Sequence, residues 1–90
     1  MKLIWADRAW EDYLHWHKAD PNVFVRINAL IEECRRTPFT GTGKPEPLRE
    51  NLKGWWSRRV TVKDRLIYRV SGKPPEQALE ILQCRFHYDR

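Results

Sequence analysis

Glu46 stands between Pro45 and Pro47 inside the segment Lys44-Pro-Glu-Pro-Leu-Arg-Glu-Asn-Leu-Lys-Gly-Trp-Trp-Ser-Arg-Arg59, and His87 stands near the chain end in Cys84-Arg-Phe-His-Tyr88. Cleaving RNA by internal transesterification without a metal requires a base for the 2'-hydroxyl, cations for the charge that builds on phosphorus, and an acid for the departing 5'-oxygen. Glu46, the Arg58/Arg59/Arg65 group and His87 supply those three types. The flanking prolines fix φ at 45 and 47 and push Glu46 toward an extended conformation on a stiffened loop. Nearby cations, among them Lys44, Arg49 and Lys53, favour its ionised form and suit contacts to phosphate. The same residues also fit a plainer reading, a solvated loop glutamate and an inert terminal histidine.

The distribution of charge sharpens this. The chain has 90 residues, 17 Lys and Arg against 12 Asp and Glu, and a formal net charge of +5. Residues 1 to 40 balance six against six, residues 41 to 73 hold nine cations against three anions, and residues 74 to 90 sum to −1. The excess thus sits in the middle third, where tryptophans accompany it, a pattern suited to an anionic partner with bases to stack. A chain of this length supports one domain, 1–90, burying roughly 60% of its unfolded surface. No apolar run reaches the roughly 20 residues of a membrane span, and the start is too short and too soon charged for a signal peptide, so a cytoplasmic protein with no membrane partner is expected.

Several elements must position these residues. Lys2 to Ala6 suits a strand, and Asp7 offers an N-cap to a helix with apolar positions Trp10, Tyr13, Leu14 and His17. Asp20-Pro21 reads as N-cap and first residue of a second helix, whose Val23, Ile27, Leu30, Ile31 and Cys34 form one stripe. Thr37 to Pro47, with three prolines and two glycines, reads as a long loop. Trp55 to Val62, Arg65 to Val70 and Leu79 to Phe86 read as an antiparallel meander, with the first strand added at an edge. The fold class is α+β: two N-terminal helices packed on one face of a mainly antiparallel β-sheet.

This arrangement carries a register condition. If Lys63 and Asp64 form a two-residue turn, Arg59 and Arg65 point to opposite faces and cannot share a phosphate; a longer connection or a bulge of the right parity brings them together. If the last strand continues, Arg85 and His87 share one face while Phe86 and Tyr88 share the other. Trp55 and Trp56 must face opposite sides, one toward the core and one free to stack on a base. Trp5, Trp10 and Trp16 lie in the neutral part and read as packing residues. His15 and His17 are two apart on a helix, and Cys34 and Cys84 are isolated, so neither a metal site nor a cofactor is expected and both thiols read as reduced core residues.

Over essentially its whole length the chain resembles the YoeB (Txe/YoeB) toxins within the RelE-like group, through Trp10-Glu-Asp-Tyr-Leu14, Gly43-Lys-Pro-Glu-Pro-Leu48, Trp56-Ser-Arg-Arg59, Arg65-Leu-Ile-Tyr68 and Cys84-Arg-Phe-His-Tyr88. The resemblance implies a microbial RNase-like fold and a homodimeric toxin that cleaves A-site mRNA on the 70S ribosome, without metal, leaving a 2',3'-cyclic phosphate. It also implies a YefM-like antitoxin that neutralises the toxin and joins it on operator DNA. By the same resemblance Glu46 is the general base, Arg65 the phosphate stabiliser and His87 the general acid, with Arg59 and Tyr88 in support. Arg49 falls where the best-known members carry lysine, and Asp89-Arg90 extends past the usual terminal His-Tyr. Two other classes fit a basic scaffold of this kind: a non-enzymatic gyrase inhibitor of the ParE type, which needs no base and acid, and a non-catalytic RNA-binding module.

Overall fold

The computed structural model describes residues 1 to 87. Its elements run β1 (Lys2–Trp5), α1 (Asp7–Ala19), α2 (Pro21–Arg36), β2 (Glu46–Pro47), a short 3-10 turn (Glu50–Leu52), β3 (Trp56–Arg59), β4 (Arg65–Ser71) and β5 (Ala78–Gln83). The strands form one sheet in the order β1-β5-β4-β3-β2. β3, β4 and β5 are the expected antiparallel meander, and β1 is the expected edge addition, parallel to β5. The opposite edge was not expected as a strand: Glu46 and Pro47, read as loop, pair antiparallel with Ser57 and Trp56. Proline is tolerated there because an edge strand leaves one row of N–H positions without a ladder partner.

Both helices cover one face of the sheet. From α2 come the buried Ile27, Leu30, Ile31 and Cys34, as the stripe predicted, packed on Leu66, Tyr68, Leu79 and Ile81 of the sheet. Asp20 caps α2 as expected, its carboxylate accepting from the N–H groups of Asn22 and Val23. α1 departs from its predicted stripe. Ala9 and Asp12 are buried and Tyr13 and Trp16 pack against the core, whereas Trp10 and Leu14 are nearly half exposed. The apolar count misplaces this face because a carboxylate lies in it: Asp12 is buried, and its Oδ2 accepts from the Cys84 N–H at 3.1 Å. Ala6, not Asp7, is the N-cap and makes no side-chain bond; Asp7 sits in the first turn, where the helix dipole favours an anion. Trp5, Trp10, Tyr13 and Phe24 form a continuous aromatic cluster, so these tryptophans pack, as expected.

The predicted last strand is cut short. Ile67 pairs with Gln83 while Tyr68 pairs with Ile81, a bulge that leaves Leu82 over, and β5 ends at Gln83. The alternation expected from Arg85 to Tyr88 therefore does not apply, since Phe86 turns the chain with φ 66°.

Candidate active site

Antiparallel register decides which side chains share a face, because directly opposed residues point the same way. Arg59 pairs with Arg65, five residues connecting the strands rather than two, so the parity condition for a shared face is met. Glu46 pairs with Ser57, Ser57 with Ile67 and Ile67 with Gln83. These four form one row across the sheet on the side away from the helices, spanning three strand spacings, about 14 Å. The Arg59/Arg65 pair lies on the same face, two residues along. Ser57, Ile67 and Gln83 are buried and make the floor, whereas Glu46 and Arg59 are exposed and Arg65 is half-buried. Two like charges opposed across a ladder repel, and an anion bound between them relieves that cost.

Arg58 is a correction. Residues alternate along β3, so Arg58 points to the helix side, is fully buried and does not belong to the phosphate-facing group. Its Nε donates to the Tyr68 hydroxyl at 3.1 Å and Nη1 donates to the Glu33 carboxylate and to the Thr42 carbonyl. Nη2 donates to the carbonyls of Thr37 and Thr40 at 2.7 and 2.8 Å. The prolines of this loop carry no N–H and the loop's carbonyls lack regular ladder partners, so a guanidinium with five donors is well matched to it. Glu33 completes the support by accepting from the Thr42 N–H and hydroxyl. The Thr42 N–H does most to hold its carboxyl below the usual value; burial opposes this, and the Thr42 hydroxyl and Arg58 assist. Tyr68, buried, is pushed up to about 12 and donates to the Pro38 carbonyl, and burial likewise pushes the Cys34 thiol up to about 11. Both cysteines are buried thiols, and Cys84 Sγ lies 3.8 Å from the Ala9 carbonyl. At the loop's end Gly43 has φ 86°, a Cβ there would lie 3.2 Å from Arg59 backbone atoms, and its carbonyl accepts from the Arg59 N–H at 2.7 Å. That approach directs Glu46 alongside β3.

Lys44, Arg49 and Lys53 are exposed; Arg49 lines a shallow concavity of about 400 Å³ with Glu46, Pro47, Leu48 and Glu50. Trp56 packs toward the core against Phe39, and Trp55 lies on the other face, where the Arg69 guanidinium stacks 4.3 Å from its ring centre. The expected stacking platform is thus already covered on one side. Arg69 also pairs with Glu80 at 3.1 Å.

At the far end of the row the chain folds back after β5. Gln83 Nε2 donates to the carbonyls of Arg85 and His87 at 3.1 and 3.0 Å, which brings the His87 backbone over the buried floor. His87 borders a cavity of about 340 Å³ with His15, Trp16, Lys63, Asp64, Arg85 and Phe86. Arg65 is held on the β3–β4 connection, Nη1 donating to the carbonyls of Thr61, Val62 and Asp64. Tyr88, the remaining expected contact, lies outside the described residues. Among the described residues no group of three His, Cys, Asp or Glu side chains is placed to hold a metal, and no helix is long and apolar enough to cross a membrane.

A family model described as "YoeB-like toxin of bacterial type II toxin-antitoxin system" matches residues 5–88. The chain belongs to this family. It is 51% identical to Toxin YoeB of Escherichia coli K12 over 88 residues, 98% of this chain and 100% of that one. Its fold superposes on a YoeB/ParE toxin from Agrobacterium tumefaciens with a TM-score of 0.96 and 52% identity, covering 98% and 100% of the two chains. A heterotetrameric YoeB-YefM toxin-antitoxin complex from Staphylococcus aureus contains a chain matching at TM-score 0.85 and 32% identity, each covered to 98%. The α+β fold and the expected family are therefore established for this YoeB-like toxin. Sequence reasoning missed four of the residues that shape its candidate site: Ser57, Gln83, Asp64 and Thr61. Of these only Thr61-x-x-Asp64 has a local signal, a hydroxyl and carboxylate spaced to close a turn on each other.

Proposed function

We propose that this toxin is an endoribonuclease that cleaves mRNA in the ribosomal A site. Glu46 takes the 2'-hydroxyl proton, Arg65 and Arg59 hold the phosphate and its developing charge, and His87 protonates the departing 5'-oxygen, leaving a 2',3'-cyclic phosphate. The observation that carries this reading is the register: Glu46, Arg59 and Arg65, far apart in sequence, share one open face whose far end is closed by the turn bearing His87. A base and an acid must flank the phosphate on opposite sides, and this reading is supported by Glu46 lying at one end of the row and the turn bearing His87 following Gln83 at the other. Lys44, Arg49 and Lys53 lie on the exposed approach, where they attract the RNA backbone. Tyr88 follows His87 directly and supports the same phosphate. The chain acts in the cytoplasm as a homodimer, is neutralised by a YefM-like antitoxin, and reaches operator DNA only in that complex. No metal or other cofactor takes part.

The test is primer extension on mRNA held in programmed ribosomes, with chelator present and with ribosome-free RNA in parallel. Wild-type toxin is expected to cut only with ribosomes, and Glu46→Ala and His87→Ala are expected to bind ribosomes, to cut only at a slow residual rate seen on long incubation, and not to arrest growth. Full cleavage by both variants would sink the assignment. Growth arrest that survives Glu46→Ala and Arg65→Ala points to the non-enzymatic class instead.

A further inference from the structure

Asp64 read in the sequence as half of a simple turn, yet it is 4% exposed and its carboxylate is used at both oxygens. Oδ2 accepts from the Thr61 hydroxyl at 2.6 Å, and Oδ1 accepts from the Phe86 N–H at 2.6 Å. The next residue closes the same junction, because the Arg65 N–H donates to the Phe86 carbonyl at 2.9 Å. Phe86 is therefore held through both its N–H and its carbonyl, in a left-handed conformation (φ 66°) that a bulky side chain rarely adopts. Such a conformation persists only where the surroundings over-determine it. Arg65 follows Asp64 directly, and His87 follows Phe86 directly.

We propose that Asp64 is the positioning residue that sets the distance and orientation of His87 relative to Arg65. It touches neither substrate nor the reacting atoms; it links the β3–β4 connection to the C-terminal turn, so that the phosphate-holding group and the acid move as one body. The inference rests on the reading of His87 as the acid. Asparagine is a poor replacement for a specific reason. The Thr61 hydroxyl oxygen already accepts from the N–H groups of Lys63 and Asp64 at 3.3 and 3.0 Å, so both its lone pairs are engaged and an amide NH₂ at position 64 finds no acceptor there.

The experiment is single-turnover cleavage of ribosome-bound mRNA by Asp64→Ala, Asp64→Asn and Thr61→Val. Each is also made in the His87→Ala background, and the Phe86 amide is followed by NMR. Asp64→Ala is expected to lower the cleavage rate about 100-fold, the scale on which a misplacement of about 1 Å acts, with the ribosome concentration at half-saturation unchanged. Asp64→Asn should fall between Ala and wild type. Thr61→Val, which leaves the Phe86 bond in place, should lose less than about tenfold. The downfield Phe86 amide resonance of a short charge-assisted bond should disappear in Asp64→Asn, which keeps the side-chain volume and guards against a misfolded Ala variant. In the His87→Ala background the Asp64 substitutions should cost almost nothing further. An unimpaired rate in both Asp64 variants overturns the proposal, and so does an equal fold-loss with and without His87. A fully active His87→Ala variant removes the acid assignment itself, an outcome distinguishable from either.

Discussion

The two ends of the candidate site are held by opposite chemistry. The loop that delivers Glu46 is short of N–H donors and is gathered by a buried cation, Arg58, donating into the carbonyls of Thr37, Thr40 and Thr42. The turn that delivers His87 is gathered by buried anions, Asp12 and Asp64, accepting from the backbone N–H groups of Cys84 and Phe86, with the Trp16 indole donating to the Cys84 carbonyl. In each case a charge inside the protein is matched to the backbone groups the local sequence leaves unserved. Burial of a charge is tolerable on those terms and on few others. The difference also means that the two ends can be perturbed separately.

Arg58→Met should give the largest effect, a loss of about 3 kcal/mol or more in urea unfolding, because it strands Glu33, the Tyr68 hydroxyl and loop carbonyls together. Limited proteolysis should then cut first within residues 37 to 47, while the Cys84 region keeps its protection from amide exchange; cleavage that begins at the C-terminal turn would erase the contrast. Asp12→Ala should be milder, about 1–3 kcal/mol for one backbone N–H left without its acceptor, with amide exchange accelerating first at Cys84. The smallest effect is one of pH. The Glu33 carboxyl is held below 4.5 in the folded protein, so its contribution is complete above that value and is lost as pH falls through it and on through the folded value. Melting temperature should accordingly fall as pH drops below about 5, and less steeply in Glu33→Gln. An identical slope in both proteins would show that the Glu46 loop does not depend on that carboxylate.

Much of the fold was legible because it depends on local chemistry. Asp20-Pro21 starts α2, the stripe from Val23 to Cys34 faces the core, and three β-rich runs with short connections make a meander. The Arg59/Arg65 question was legible as a condition on parity, though not its answer, since the five-residue connection closes through Asp64 and Thr61, whose partners include a residue at the far end of the chain. Arg58 was misjudged because charge in a basic segment reads as surface, and nothing local reports that loop carbonyls wait above it. The stripe on α1 was misjudged for the same reason, with Asp12 hidden in it.

By itself, the sequence determined the two helices, the β3–β5 meander with β1 at its edge and the chemical types at Glu46, Arg65 and His87, which follow from residue identity and spacing, while the family followed from resemblance over the whole chain. Tertiary structure alone decided which arginine meets the open face and which is buried, and that two distant turns close on Asp64. The physical reason is that a buried charge needs partners, and here those partners are backbone groups that come within reach only once the sheet has formed and its register is set.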